Sequence, residues 1–170
     1  LRYANLETIE EGYGINLLPL ARFAMDTYGS DPCKYFKPKI GDNPEISPKE
    51  EALIAKMHKA ITIIQFKLES EVINAHEEFG MKSRNLLHKI DFKRGTVELD
   101  GVDYPLKDTY LPTIDPTSPY KLTDEEQDVV KKLVTSFKGN EKLRKHINCL
   151  YSKGSLYLVR NGNLLYHGSM

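Results

Sequence analysis

From Pro48 to about Phe79, apolar residues recur every three or four positions over roughly 30 residues, and no other feature limits the fold as strongly. Ala52, Ile54, Ala55, Ala60, Ile61, Ile63, Ile64, Leu68, Val72, Ile73 and Ala75 give this stretch one wide apolar face. The preceding "SPKE" at 47–50 places Ser47 as an N-cap, Pro48 at the first helical position and Glu50 where it closes a capping box. Gly80 is expected to stop the helix. At 1.5 Å per residue it would run roughly 45 Å, longer than most helices of a single domain. Such a helix has to pack along other elements or bridge to something else.

The remaining elements are shorter. Residues 5–29 predict a helical region bent near Gly12 and Gly14, with Pro19 in the first turn of its second half and Gly29 as a left-handed stop. Leu17, Leu18, Leu20, Ala21, Ala24 and Met25 repeat at helical spacing there. Residues 30–46, with Pro32, Pro38 and Pro44, read as an irregular connection. Between 89 and 106 the period changes to two, around Asp100 and Gly101 as a type I′ turn and Lys93, Arg94 and Gly95 as an earlier one. Two or three short antiparallel strands are expected there.

After a proline-rich loop at 110–120, "TDEE" at 123–126 is a second capping box, opening a helix that ends at Gly139. Asn140 caps a further helix that finishes at Gly154. A last hairpin follows, with Asn161 and Gly162 between "SLYLVR" and "NLLYH". The class expected is α+β, mainly helical, with a long central helix and short antiparallel β-hairpins. Length suits one domain over 1–170.

Charge excludes some functions. The 24 Lys and Arg balance 24 Asp and Glu, so there is no overall field for nucleic acid or an anionic membrane, and an anionic substrate has to be met locally. No apolar stretch approaches the ~20 residues that span a bilayer. Cys33 and Cys149 are too far apart for a metal knuckle and too few for a disulfide framework, as expected of reduced thiols in the cytoplasm. The chain starts at Leu1 without a leader and closes on "NLLYHGSM", and both ends read as cut from something longer.

No catalytic set assembles from the motifs alone. His58 and His76 share a helix face but stand roughly 27 Å apart along it, and no His-Glu-x-x-His pattern is present. His88 and His146 read as surface histidines. "EGYGIN" at 11–16 follows no predicted strand and lacks a third glycine, and there is no Gly-x-Ser-x-Gly elbow. The carboxylates at 10, 11, 50, 51, 77, 78 and 124–126 fit helix starts and exposed faces. His167 differs in setting: it ends an apolar strand and is followed by Gly168, a place where a sheet can hold an imidazole beside an open loop.

Two long segments, "LRYANLETIEEGYGINLLPLARFAMDTYGSDPC" at 1–33 and "LRKHINCLYSKGSLYLVRNGNLLYHG" at 143–168, together with their spacing, resemble the class III fructose-1,6-bisphosphatases. These are a distant branch of the calcineurin-like metallophosphoesterases. The resemblance implies that the chain is an internal piece of a longer enzyme, since the Asp-x-His, Gly-Asp-x-x-Asp-Arg-Gly and Gly-Asn-His-Glu/Asp segments of the superfamily do not occur here. It implies hydrolysis of fructose 1,6-bisphosphate to fructose 6-phosphate and phosphate, a step of gluconeogenesis, by two manganese ions. His167 is the one position here that matches a metal ligand; no catalytic residue falls in this piece, which by itself is expected to be inactive and to hold no manganese pair. The inserted region would serve as a helical cap whose Lys or Arg meet the second phosphate, or as a packing or homo-oligomerisation element. The rival reading is an independent helical interaction module with no catalytic role.

Overall fold

Local codes start each helix. In the computed structural model, which describes residues 6–39, 46–166 and 168, α3 spans Pro48–Ala75. Ser47 Oγ accepts the Glu50 N–H, and the Glu50 carboxylate accepts the Ser47 N–H, so two amide donors that helix geometry orphans are satisfied. Ser47→Ala is expected to cost about 1 kcal/mol in urea unfolding, and Ser47→Gly only a few tenths. No loss for Ser47→Ala would mean that the side-chain cap does not form.

Before it come α1 (Glu7–Tyr13), ended by Gly14 at φ 65, and α2 (Leu18–Tyr28), with Pro19 in its first turn. Gly29 is not the left-handed stop that was expected: its φ of −53 is right-handed. Glycine is required there for space, because a Cβ would stand 2.6 Å from the Met25 carbonyl oxygen. The expected end of α3 is also corrected. It stops at Ala75, His76 leaves helical geometry at φ −129, and a 3-10 turn over Glu77–Phe79 precedes Gly80. Its 28 residues span about 42 Å.

Strands β1 (Ile90–Asp91), β2 (Thr96–Leu99) and β3 (Val102–Pro105) form an antiparallel meander in the order β1-β2-β3. Asp100 and Gly101, both at positive φ, make the β2–β3 turn. Then follow α4 (Asp124–Lys138), with the Thr123–Glu126 capping box, and α5 (Glu141–Lys153), capped by Asn140. The chain closes with β4 (Tyr157–Arg160) and β5 (Asn163–Tyr166), joined by Asn161 and Gly162 at positive φ. These elements are α+β and mainly helical, around a long central helix, as expected.

α3 is the axle. On one side Ala55, Met57, Ala60 and Ile64 pack against Leu20, Phe23, Ala24 and Tyr28 of α2 and Val129 of α4. On another, Ile63 meets Leu87 and Ile114, with Ile90 and Phe92 alongside, which seats the small sheet and the proline-rich loop. The apolar face differs from expectation at its ends. Ala52, Val72 and Ala75 are exposed, and so are Leu18 and Met25 of α2.

Candidate functional site

Two lysines of α3 stand at positions where its apolar stripe calls for aliphatic side chains. Lys59 lies four residues before Ile63 and Lys67 four after it, and neither has any exposed surface. A buried ammonium needs partners, because desolvating it without them costs several kcal/mol. Each lysine has them.

Lys59 Nζ donates to Asp31 Oδ2 at 2.5 Å and to Asp108 Oδ1 and Oδ2 at 2.9 and 2.8 Å. The rings of Tyr28, Tyr110 and Phe36 close around the ammonium, with centroids 5.3, 5.5 and 5.8 Å away, within cation–π range. Both carboxylates are held by amides as well: Asp31 Oδ1 accepts the Cys33 N–H and Asp108 Oδ1 accepts the Tyr110 N–H. Burial pushes the Asp31 carboxyl up, but the hydrogen bond from Lys59, the Cys33 amide and the Lys59 charge outweigh it and leave it below the ordinary value.

Lys67 Nζ donates to Glu126 Oε2 at 2.7 Å and to the Thr113 carbonyl at 2.6 Å. The same Glu126 oxygen accepts the Thr123 N–H that closes the capping box of α4. Glu126 was expected to be an exposed helix-start carboxylate. Instead it is fully buried, because α4 packs its first turn over α3 and the Lys67 ammonium neutralises it there. Its Oε1 is buried without a hydrogen-bond partner. Burial, opposed by the Thr113 side chain and helped by the Glu126 charge, pushes the Tyr28 phenol up to about 12.

These two centres hold elements together and leave no cation free for substrate. Lys59 and Lys67 are sealed from solvent and paired with carboxylates, so neither can meet a phosphate. Cys33 sits at φ 44 beside Asp31, and burial pushes its thiol up to about 11, which keeps it protonated and poorly nucleophilic at neutral pH. Between α2 and α4 lies an open cleft of about 1040 Å³ where Arg22, Lys131 and Lys132 face Asp26, Asp124, Glu125 and Asp128. Three cations against four carboxylates do not make a phosphate site.

The histidines are dispersed. His58 is half-buried on α3 with Nδ1 3.0 Å from the Phe36 carbonyl, and His76 lies at the end of that helix beside Glu78. His88 contacts the Tyr120 hydroxyl and His146 the Tyr13 hydroxyl, and both are exposed, as expected of surface histidines. His167, the candidate metal ligand, lies outside the described residues. Among the described residues no three His, Cys, Asp or Glu side chains converge as a metal site needs, so they do not by themselves fit a manganese pair. Among them, too, no helix is long and apolar enough to cross a membrane.

Reading the sequence missed the buried charges. A signal was present, since Lys56, Lys59 and Lys67 interrupt the apolar face of α3 at helical spacing and all three are buried. Which carboxylates answer Lys59 and Lys67 has no local signal.

The family described as Firmicute fructose-1,6-bisphosphatase matches residues 1–170. A class 3 fructose-1,6-bisphosphatase of Clostridium novyi is 60% identical over 168 residues, covering 99% of this chain and 25% of the relative. That of Clostridium acetobutylicum is 62% identical over 167 residues, covering 98% and 25%. That of Bacteroides fragilis is 57% identical over 171 residues, covering 100% and 26%. The chain thus spans about a quarter of the length of the curated relatives it matches. No solved structure matches it.

Proposed function

The chain belongs to the Firmicute fructose-1,6-bisphosphatase family, and on that premise we propose that it is an internal region of a longer enzyme that hydrolyses fructose 1,6-bisphosphate to fructose 6-phosphate and phosphate. The observation that carries this is identity of 55–62% to class 3 enzymes over nearly the whole chain. It favours the phosphatase over an independent interaction module.

The same reading has a cytoplasmic, manganese-dependent enzyme of the calcineurin-like superfamily, with His167 supplying one imidazole to a metal centre. The other ligands would come from sequence outside these 170 residues. No step of the hydrolysis is assigned to the residues described here. For the region itself we favour packing over substrate capture, because the sealed Lys59 and Lys67 are paired with carboxylates and the cleft between α2 and α4 is lined by both signs of charge. The region is also proposed to take part in a homo-oligomer.

The test is release of phosphate from fructose 1,6-bisphosphate by the full-length polypeptide with and without manganese. Turnover that needs the ion is the expected result, and a folded, metal-loaded protein without turnover would overturn the reading. His167→Ala is expected to bind less manganese while keeping its circular dichroism. Unchanged metal content would remove His167 from the ligand set.

A further inference from the structure

We propose that Lys56 is an anion-receiving site that the full-length polypeptide fills with a carboxylate from outside these 170 residues, an ion pair that ties α3 to the rest of the enzyme. The inference rests on the reading of the chain as part of a longer phosphatase.

Lys56 is 7% exposed, and Ile54, Ala55 and Met57 around it are 6%, 0% and 3% exposed. These four consecutive residues cover a full turn at about 100° each, so α3 has no wet side at this point. Lys56 also stands two turns before Ile63, on the same face that Lys67 continues one turn further on. It therefore places a charge at the centre of the buried stripe.

Lys59 and Lys67 are answered by carboxylates, but among the described residues none gives Lys56 a hydrogen bond or an ion pair. Its helical neighbours three and four positions away are Ala52, Leu53, Lys59 and Ala60, so α3 itself offers it no carboxylate and adds a second ammonium. The carboxylates that reach this end of α3 are engaged: Asp31 and Asp108 by Lys59, Glu51 by Lys37 and Glu50 by the Ser47 amide. The Cys33 thiol feels the Lys56 charge, but burial pushes it up to about 11, so it brings no negative charge at neutral pH. A desolvated ammonium without a partner is strongly unfavourable, and the missing anion has to come from elsewhere.

A carboxylate of the same polypeptide suits this site better than a dissolved anion. Lys56 lines neither the cleft between α2 and α4 nor the smaller one at the start of α4, where a phosphate-sized ligand could be held. A single side-chain carboxylate needs no such cavity. The matched region is only a quarter of each relative, which leaves most of the sequence to supply one. Being tethered, it acts at high effective concentration.

Cross-linking of the full-length polypeptide with a water-soluble carbodiimide tests this, because the reagent joins an amine to a contacting carboxylate as an amide and itself takes up the elements of water as a urea. Mass spectrometry of the single-chain product is expected to find Lys56 joined to an Asp or Glu outside residues 1–170. No link to Lys56, or a link to a carboxylate within 1–170 or in a second copy, would overturn the proposal. Hydrogen–deuterium exchange gives an independent answer through its sign. Lys56→Met would orphan the incoming carboxylate, so the α3 amides of the full-length protein are expected to exchange about 100-fold faster, and less so in Lys56→Arg, which keeps the charge. Equal or slower exchange in Lys56→Met would mean that an unpaired charge had been removed, and the proposal would fall. It would fall too if the difference appeared only on adding inorganic phosphate, which would assign the site to a dissolved anion. Phosphate release separates the two readings: a cross-linked Lys56 without turnover overturns the enzyme, and turnover without the link overturns the ion pair.

Discussion

Lys59→Met is expected to lower the free energy of unfolding by about 3–5 kcal/mol, a large part of what holds a domain of this size together. Methionine fills nearly the same volume, so the loss is not a cavity. It comes from Asp31 and Asp108, which keep their places at the end of α2 and beyond β3 but lose the ammonium between them. The Tyr28, Phe36 and Tyr110 rings lose the cation they enclose. The chain has no tryptophan and ten tyrosines, so tyrosine fluorescence in urea follows unfolding of the chain as a whole.

The effect of pH has a definite sign. The folded Asp31 carboxyl is held below its ordinary value, so its stabilising contribution is complete above the unfolded pKa, about 3.9, and is lost as pH falls through the folded value. In Lys59→Met the lysine no longer opposes burial, the carboxyl moves up, and protonation relieves the variant as pH falls. The gap between wild type and variant should therefore narrow from pH 7 towards pH 4. A gap that stays constant would show that the lysine acts through packing and not through charge.

Lys67→Met is expected to cost a similar amount, about 3–5 kcal/mol, because it leaves Glu126 sealed against α3 without the ammonium that pairs with it. Here a double-mutant cycle is the sharper measurement. Glu126→Gln keeps an oxygen for the Thr123 amide, so the capping box of α4 can survive while the charge is gone. Lys67→Met with Glu126→Gln should lose clearly less than the two single changes added together, since neither leaves an unpaired charge in the presence of the other. Strict additivity would mean that the two side chains do not interact in the folded chain.

Both lysines mark the edge of what could be read along the chain. The capping boxes at Ser47 and Thr123, the Asn140 cap and the turns at Asp100-Gly101 and Asn161-Gly162 were all legible, because each is a bargain among residues a few positions apart. The ends of α3 were less so. His76 stops it one residue after Ala75 with no proline or glycine to announce the break. The candidate ligand His167 stood apart in the sequence by its place at the end of an apolar strand before Gly168, but only family resemblance matched it to a metal-ligand position.

Sequence alone determined the order and type of the elements, because capping, turn geometry and the period of apolar residues are short-range. Only the tertiary structure decided which charges would be buried. Lys59 reaches Asp31 and Asp108 across 28 and 49 residues, and Lys67 reaches Glu126 across 59. A lysine on an apolar stripe can be sealed from water only where the returning chain brings a carboxylate to it, and the residues beside it in sequence do not say where that is.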